Sequence, residues 1–309
     1  MDNVKKKVYS ALNYFHTDDD FNRVTFGLKR NALSARLVRW RFADLILLGV
    51  LCVLYIVTYK IEPFQRQFFI NDLTISHPFA ESERVTNGAL FFYSVWEPIM
   101  VIGVIGLIMT KPENKIYVTY VSILGVCISC FTTSVVTDVL KNLIGRHRPD
   151  FLARCVPRSD APLNVMVFAK DVCTTDNLDL LKDGFRTTPS GHSSVSFSGL
   201  VYLSLWLSGQ LVIMNENLGY WRSILAWIPT LQCTYIALSR TEDYRHHFVD
   251  VIIGSLIGLG MAFWAYRRLF PHIAHPKAYE PYIIISEEED NDNPDTQYNR
   301  IDQDESLSV

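Results

Sequence analysis

Six long apolar blocks limit what this chain can fold into more than any other feature. They cover residues 42–59, 89–109, 116–140, 193–213, 224–238 and 249–266 of the 309-residue sequence. The first, FADLILLGVLCVLYIVTY, holds one charge, Asp44, near its edge. A helix needs roughly 20 residues to cross the hydrocarbon layer of a bilayer, within a range of about 17–25. Most of the blocks reach that length, and 224–238 does so once Trp221 and Ser223 are included. One such block could be a buried helix of a large soluble protein. Six in one chain imply an all-α fold, a six-transmembrane-helix bundle.

The flanks set the orientation. Arg36, Arg39 and Arg41 precede the first block, Lys60 follows it, and Arg267 and Arg268 close the last. Basic residues near span ends favour the cytosolic side. Both termini are therefore expected in the cytosol, with the connections after the first, third and fifth blocks on the luminal or outer side. The opening stretch MDNVKKKVYS has no apolar core, so a cleaved signal peptide is not expected. Three parts result: a cytosolic arm over 1–41, a membrane domain over 42–270, and a cytosolic tail over 271–309. The formal net charge is −3, yet residues 287–309 hold nine acidic residues against one Arg. With little to bury, that acidic stretch is expected to stay unfolded.

Four of the six cysteines, Cys52, Cys127, Cys130 and Cys233, fall inside apolar blocks and read as small apolar side chains. Cys155 and Cys173 share the long connection after the third block, on the side where oxidation is permitted. A structural disulfide is expected between them. No Asn-x-Ser/Thr sequon occurs.

Polar residues that carry chemistry gather in three short clusters at block ends. The first is KNLIGRHRPDF, where Lys141 and Arg148 lie seven residues apart. If the third helix runs on, that spacing puts both cations on one face until Pro149 stops it. The second is TTPSGHSSVSF, where Ser190 can cap a helix whose free N–H groups attract an anion, Gly191 permits close backbone approach, and His192 stands at the edge. The third is LSRTEDYRHHFVDVIIG. There Arg240 follows one helix, and His246 and Asp250 open the next at i, i+4 spacing, which would let the carboxylate fix the imidazole's orientation. His247 has Val251 at the same offset, so His246 is favoured. Snorkelling, helix capping and an ordinary ion pair would explain each cluster alone. Together they lie on one side of the membrane and bring two histidines, a carboxylate and at least three cations, without the carboxylate pair or Cys/His cage that metals need. That set suits phosphoryl transfer stabilised by cations and backbone N–H groups.

These residues resemble the signature of the type 2 phosphatidic acid phosphatase, or lipid phosphate phosphatase, superfamily: Lys-x6-Arg-Pro, Pro-Ser-Gly-His and Ser-Arg-x5-His-x3-Asp. Lys141 to Arg148-Pro149, Pro189 to His192, and Ser239-Arg240 to His246 and Asp250 match it throughout. FFINDLTISHPFAESERV, RPDFLARC, AKDVCTTDN, DGFRTTPSGHSS and ALSRTEDYRHHFVDVIIGS look like the fungal diacylglycerol pyrophosphate phosphatases within it. The resemblance implies a helical bundle of the vanadium-haloperoxidase-like type and a phosphatase with no metal or other cofactor. By it, His246 is the nucleophile, Asp250 orients it, and His192 is the acid and then the base. Lys141, Arg148, Ser190, Gly191 and Arg240 would hold phosphate. The implied substrates are diacylglycerol pyrophosphate and phosphatidate, with lysophosphatidate a further candidate and no nucleic acid. The implied place is the vacuolar membrane, with the site on the luminal side. Related activities on polyisoprenyl or sphingoid-base phosphates share the motif. A non-catalytic receptor or transporter on the same scaffold should lack a catalytic residue, whereas His192, His246 and Asp250 are all present.

Overall fold

The structure, a computed structural model, describes residues 32–292. Two units make up the chain, residues 1–47 and 48–309. Of the first, the described part is helix α1 (Ala32–Arg39) and the opening of α2 (Phe42–Lys60). The second holds everything that follows. Its long helices are α3 (Asn87–Met109), α4 (Lys115–Ile144), α8 (Gly191–Gln210), α9 (Trp221–Glu242) and α10 (Phe248–Arg267). Short helices α5 (Phe151–Cys155), α6 (Ala169–Val172) and α7 (Leu178–Asp183) lie in the connection after α4, and α11 (Tyr282–Asp292) follows α10. The architecture is all-helical; among the described residues there are only isolated β-bridges.

Every apolar block is helical, but they differ in what surrounds them. By length and apolar content, α2, α3, α4 and α10 are able to cross a membrane. Helices α8 and α9, with 20 and 22 residues, are long enough, and α8 carries six serines. Three of those serines mark α8 as the central helix, because the hydroxyls of Ser194, Ser198 and Ser204 meet neighbouring helices. Ser198 Oγ lies 2.6 Å from Ser129 Oγ and 2.9 Å from Thr133 Oγ1 of α4, Ser194 Oγ is 2.8 Å from Thr137 Oγ1, and Ser204 Oγ accepts from Thr230 Oγ1 of α9 at 2.9 Å. A buried hydroxyl without a partner would cost on the order of 1–3 kcal/mol, so such pairing is what makes a polar central helix tolerable.

Two close approaches fix the frame around the site. On α10, a Cβ at Gly254 would stand 2.5 Å from Ser190 O, and one at Gly258 2.2 Å from Ser194 O. These small residues at i, i+4 let α10 press against the start of α8. On α4, the helix ends at Ile144 because Gly145 takes a left-handed conformation, φ 58°. A side chain there would also strike Phe64 O at 1.9 Å. The expectation that this helix continues, placing Lys141 and Arg148 on one face, is therefore corrected: Arg148 lies in the non-helical stretch beyond the cap. In α3, residues Phe92–Trp96 form a π-helical turn ahead of Glu97-Pro98, and Glu97 Oε2 accepts from Gln232 Nε2 of α9 at 2.7 Å.

The connections before α3 and after α4 form a cap with its own core: Phe68, Ile75, Phe151, Cys155, Val167, Ala169, Val172 and Phe185. Phe68 and Val167 exchange backbone hydrogen bonds at 3.1 and 3.0 Å. Cys155 and Cys173 are joined by a disulfide with Cα atoms 4.7 Å apart. Under this core lies an ion network. Arg154 binds both oxygens of Asp150 at 2.9 Å and reaches Asp183 at 2.9 Å, while Arg245 joins Asp150 and Glu83, each at 3.2 Å. The acidic segment begins in a helix: α11 runs through Asp292, and Glu288 pairs with Lys111 at 2.8 Å and Lys277 at 2.6 Å. The stretches 1–31 and 293–309, with most of the expected arm and the rest of the acidic tail, lie outside the described residues.

Candidate active site

A cavity of about 750 Å³ opens beneath the cap, and Lys141, Arg148, Gly191, His192, Arg240 and His246 all line it. Five different segments deliver these six groups: the end of α4, the stretch after Gly145, the start of α8, the end of α9, and the turn before α10. Each cation is held from behind by an acid or a carbonyl. Arg148 donates to Asp183 Oδ1 at 2.7 Å and to the Asp183 carbonyl at 2.9 Å. Arg240 donates to Val85 O at 3.1 Å and to Glu83 Oε2 at 3.2 Å. Lys141 Nζ donates to the Arg186 carbonyl at 3.3 Å. Burial opposes ionisation of Asp183, but the Arg148 and Arg154 guanidiniums outweigh it and hold the carboxyl below the usual carboxylate range. Fixed in this way, the cations are organised before any anion arrives.

The histidines are oriented differently. His192 Nε2 lies 3.0 Å from Val85 O. A carbonyl only accepts, so Nε2 carries the proton and Nδ1 is left for chemistry. His246 shows the reverse: its Nδ1 is 3.3 Å from Thr187 Oγ1. It is 3% exposed, and burial, followed by the nearby Arg148, Lys141 and Arg240 cations, holds its imidazole well below the ordinary value. At neutral pH it is therefore uncharged, as a nucleophile must be.

Asp250 does not reach His246, which corrects the spacing argument. The helix begins one residue too late for that: His247 is the N-cap of α10, and Asp250 is its N3 residue. Asp250 Oδ2 accepts from His247 N at 2.8 Å and lies 3.2 Å from His247 Nδ1. The remaining partners of Asp250 are Thr187 Oγ1 at 2.7 Å, Thr188 Oγ1 and Arg146 at 3.1 Å. Thr187 is therefore the link. It gives its one proton to Asp250 and can accept from His246 Nδ1–H, which orients the ring at one remove. Nothing in the spacing of His246 and Asp250 signals this; the Thr-Thr pair directly before Pro189 is the sequence feature that could have. Ser190 caps the helix as its position predicts, but is not placed as the phosphate contact that the resemblance implies. It does not line the cavity, and its Oγ caps α8 by accepting from Ser193 N at 3.4 Å.

Residues 122–273, which include all three clusters, match the PAP2 superfamily. Over 266 residues the chain is 50% identical to diacylglycerol pyrophosphate phosphatase 1 of Saccharomyces cerevisiae, spanning 86% of this chain and 91% of that protein. The chain belongs to the PAP2 superfamily. It is 38% identical over 221 residues to a probable diacylglycerol pyrophosphate phosphatase 1 of Schizosaccharomyces pombe, 72% of this chain and 78% of that one. It is 33% identical over 247 residues to lipid phosphate phosphatase 2 of Arabidopsis thaliana, 80% and 83% of the two chains. No solved structure matches it significantly.

In this PAP2 chain the cavity does not stop at the phosphate-sized end. Cys130, Phe131, Ser134, Thr137, Asp138 and Lys141 of α4 all line it. Their spacing follows one face of the helix, so at 1.5 Å per residue the cavity reaches roughly 16 Å from Lys141 into the apolar span. Tyr55, Leu90, Phe91 and Val195 line the same cavity, suiting an acyl chain. Four further charges in its lining, Arg186, Asp138, Lys182 and Glu62, were not singled out by the motif.

Proposed function

We propose that the chain hydrolyses diacylglycerol pyrophosphate to phosphatidate, and phosphatidate to diacylglycerol, without a metal ion. It is a membrane lipid phosphatase, and the observation that carries the substrate reading is one continuous cavity joining six phosphate-suited groups to the apolar side chains of Tyr55, Leu90, Phe91, Phe131 and Val195. His246 Nε2, whose sister nitrogen is engaged by Thr187, attacks the terminal phosphorus. The bond from phosphorus to the departing lipid oxygen breaks as the N–P bond forms. The negative charge of the bound phosphate lets His192 take up a second proton at Nδ1, and His192 gives that proton to the departing oxygen, which is most needed when the leaving group is poor, as the alkoxide of diacylglycerol is. Water then attacks the phosphohistidine and yields its proton to His192, and the N–P bond breaks to release phosphate and restore His246. Lys141, Arg148, Arg240 and the start of α8 at Gly191 stabilise the charge on the equatorial oxygens throughout. Ser190 serves this site by capping α8, so its contribution is to aim the N–H groups. The disulfide in the cap supports an oxidising compartment for the site, in keeping with a luminal site and cytosolic termini. The vacuolar membrane is the compartment proposed.

Among the described residues, no group of three or more His, Cys, Asp or Glu converges in a way that would hold a metal. The test is phosphate release from a panel of lipid phosphates in detergent micelles with EDTA present. Both glycerolipids should be hydrolysed at nearly the rate seen without chelator. A strict Mg²⁺ requirement, or activity confined to polyisoprenyl or sphingoid phosphates, would overturn the proposal.

A further inference from the structure

One layer below the attacked phosphate, the cavity holds an arginine that the three motifs leave out. Asp138 precedes Lys141 by three residues on the cavity face of α4, about 4.5 Å deeper into the span. Arg186 meets it there, donating from one terminal nitrogen to Asp138 Oδ1 at 3.1 Å and from the other to Tyr59 O at 3.2 Å. The guanidinium carbon lies 5.1 Å from the Tyr59 ring centroid, and the Arg186 carbonyl accepts from Lys141 Nζ at 3.3 Å. The side chain is thus tied to the phosphate site by its own backbone and held at a fixed depth. A guanidinium has five N–H donors. Two are engaged here, so three remain for a ligand. Lys182, paired with Glu62, lines the same cavity.

We infer that Arg186 is a second phosphate subsite, which binds the inner phosphate of a lipid diphosphate while its terminal phosphate lies at Lys141, Arg148 and Arg240. This rests on the lipid phosphatase reading above and extends it to the choice between mono- and diphosphates. The depth decides the match. The lipid must enter with its chains towards Cys130 and Phe131, so the atoms next to the attacked phosphorus lie towards Asp138. In a diphosphate lipid that position holds a second phosphate, one bridging oxygen away and within a single helical turn. In a monophosphate lipid it holds the glycerol ester, which offers a guanidinium no charge. A charge-assisted contact at this layer therefore favours the diphosphate alone. Asp138 balances Arg186 while the site is empty, which explains an acid inside a phosphate-binding cavity.

The test compares kcat/KM for diacylglycerol pyrophosphate and phosphatidate of identical chains, in micelles with EDTA. Arg186→Gln should lower the value for the diphosphate about tenfold more than for the monophosphate. That variant leaves Asp138 without its partner and could impair folding, so the pair is also removed together as Arg186→Gln/Asp138→Asn, with the same selective loss expected. Inorganic pyrophosphate should inhibit the wild type more strongly than phosphate does, and either variant should erase much of that difference. Equal losses on both lipids, with the pyrophosphate-to-phosphate inhibition ratio unchanged, would overturn the subsite. A wild type inactive on both lipids would instead overturn the underlying function.

Discussion

At the scale of single residues, the site divides its labour between groups that meet the ligand and groups that hold them. Thr187 belongs to the second kind. It is fully buried, its hydroxyl has one proton, and Asp250 takes that proton at 2.7 Å. His246 Nδ1–H must then donate to it, which leaves Nε2 as the free base facing the cavity. Removing the hydroxyl while keeping the shape, in Thr187→Val, should lower kcat on the order of a hundredfold with little change in KM, as loss of a tautomer-fixing bond does elsewhere. Thr187→Ser should recover most of the rate, and the acid limb of kcat against pH should move in the valine variant only. Equal rates for the valine and serine variants would remove Thr187 from the positioning of His246. The motif residues Lys141, Arg148, His192, Arg240 and His246 were legible because their types and order carry the chemistry. Thr187 was not, because a hydroxyl between two named residues reads like any other threonine until distances are known.

At the scale of elements, helix ends decided where the sequence reading held and where it failed. All six apolar blocks became helices, the form that satisfies every backbone group of an apolar segment within itself. The failures fell at boundaries. Gly145 stopped α4 earlier than the Lys141–Arg148 spacing suggested, and the His247 cap started α10 later than the His246–Asp250 spacing suggested. Both depend on backbone geometry over one or two residues, which periodicity does not resolve. The cap also contains a titrating group unrelated to catalysis. His147 packs against the rings of Phe68, Phe151 and Phe185 at 5.3, 4.6 and 5.0 Å, with Nε2 on Arg66 O at 2.9 Å. Burial pushes its imidazole down to about 4, below the roughly 6.5 of an unfolded histidine. As pH falls below 6.5 the unfolded chain takes up this proton first. The stability His147 contributes is therefore complete above 6.5 and is lost between 6.5 and 4, on the order of 3 kcal/mol over that window. Melting temperature in detergent should fall as pH is lowered from 7.5 to 5, and His147→Gln should fall less steeply. Identical slopes would mean that His147 is solvated or charged in the folded cap.

At the scale of the whole molecule, the arrangement is a polar central helix wrapped by apolar ones, with the phosphate-suited groups gathered at one end under a disulfide-bonded cap. Its all-helical architecture was legible from the blocks, yet the role of α8 was not. Its serines lower its apolar character, and only the pairing of Ser194, Ser198 and Ser204 with Ser129, Thr133, Thr137 and Thr230 shows that it faces protein. The depth of the cavity along α4 was equally hidden, since it depends on how α2, α3 and α4 leave space beside Phe131 and Ser134. The claim that unites these scales is that the enzyme forms a phosphohistidine at His246 without a metal ion. Diacylglycerol pyrophosphate labelled in its terminal phosphate would be mixed with the protein in EDTA and quenched in alkali within one turnover, and the labelled peptide identified. The expected result is an acid-labile, alkali-stable label on the peptide containing His246, absent from His246→Ala, which should also release no phosphate. Label on a different residue, or unchanged phosphate release by His246→Ala, would contradict it.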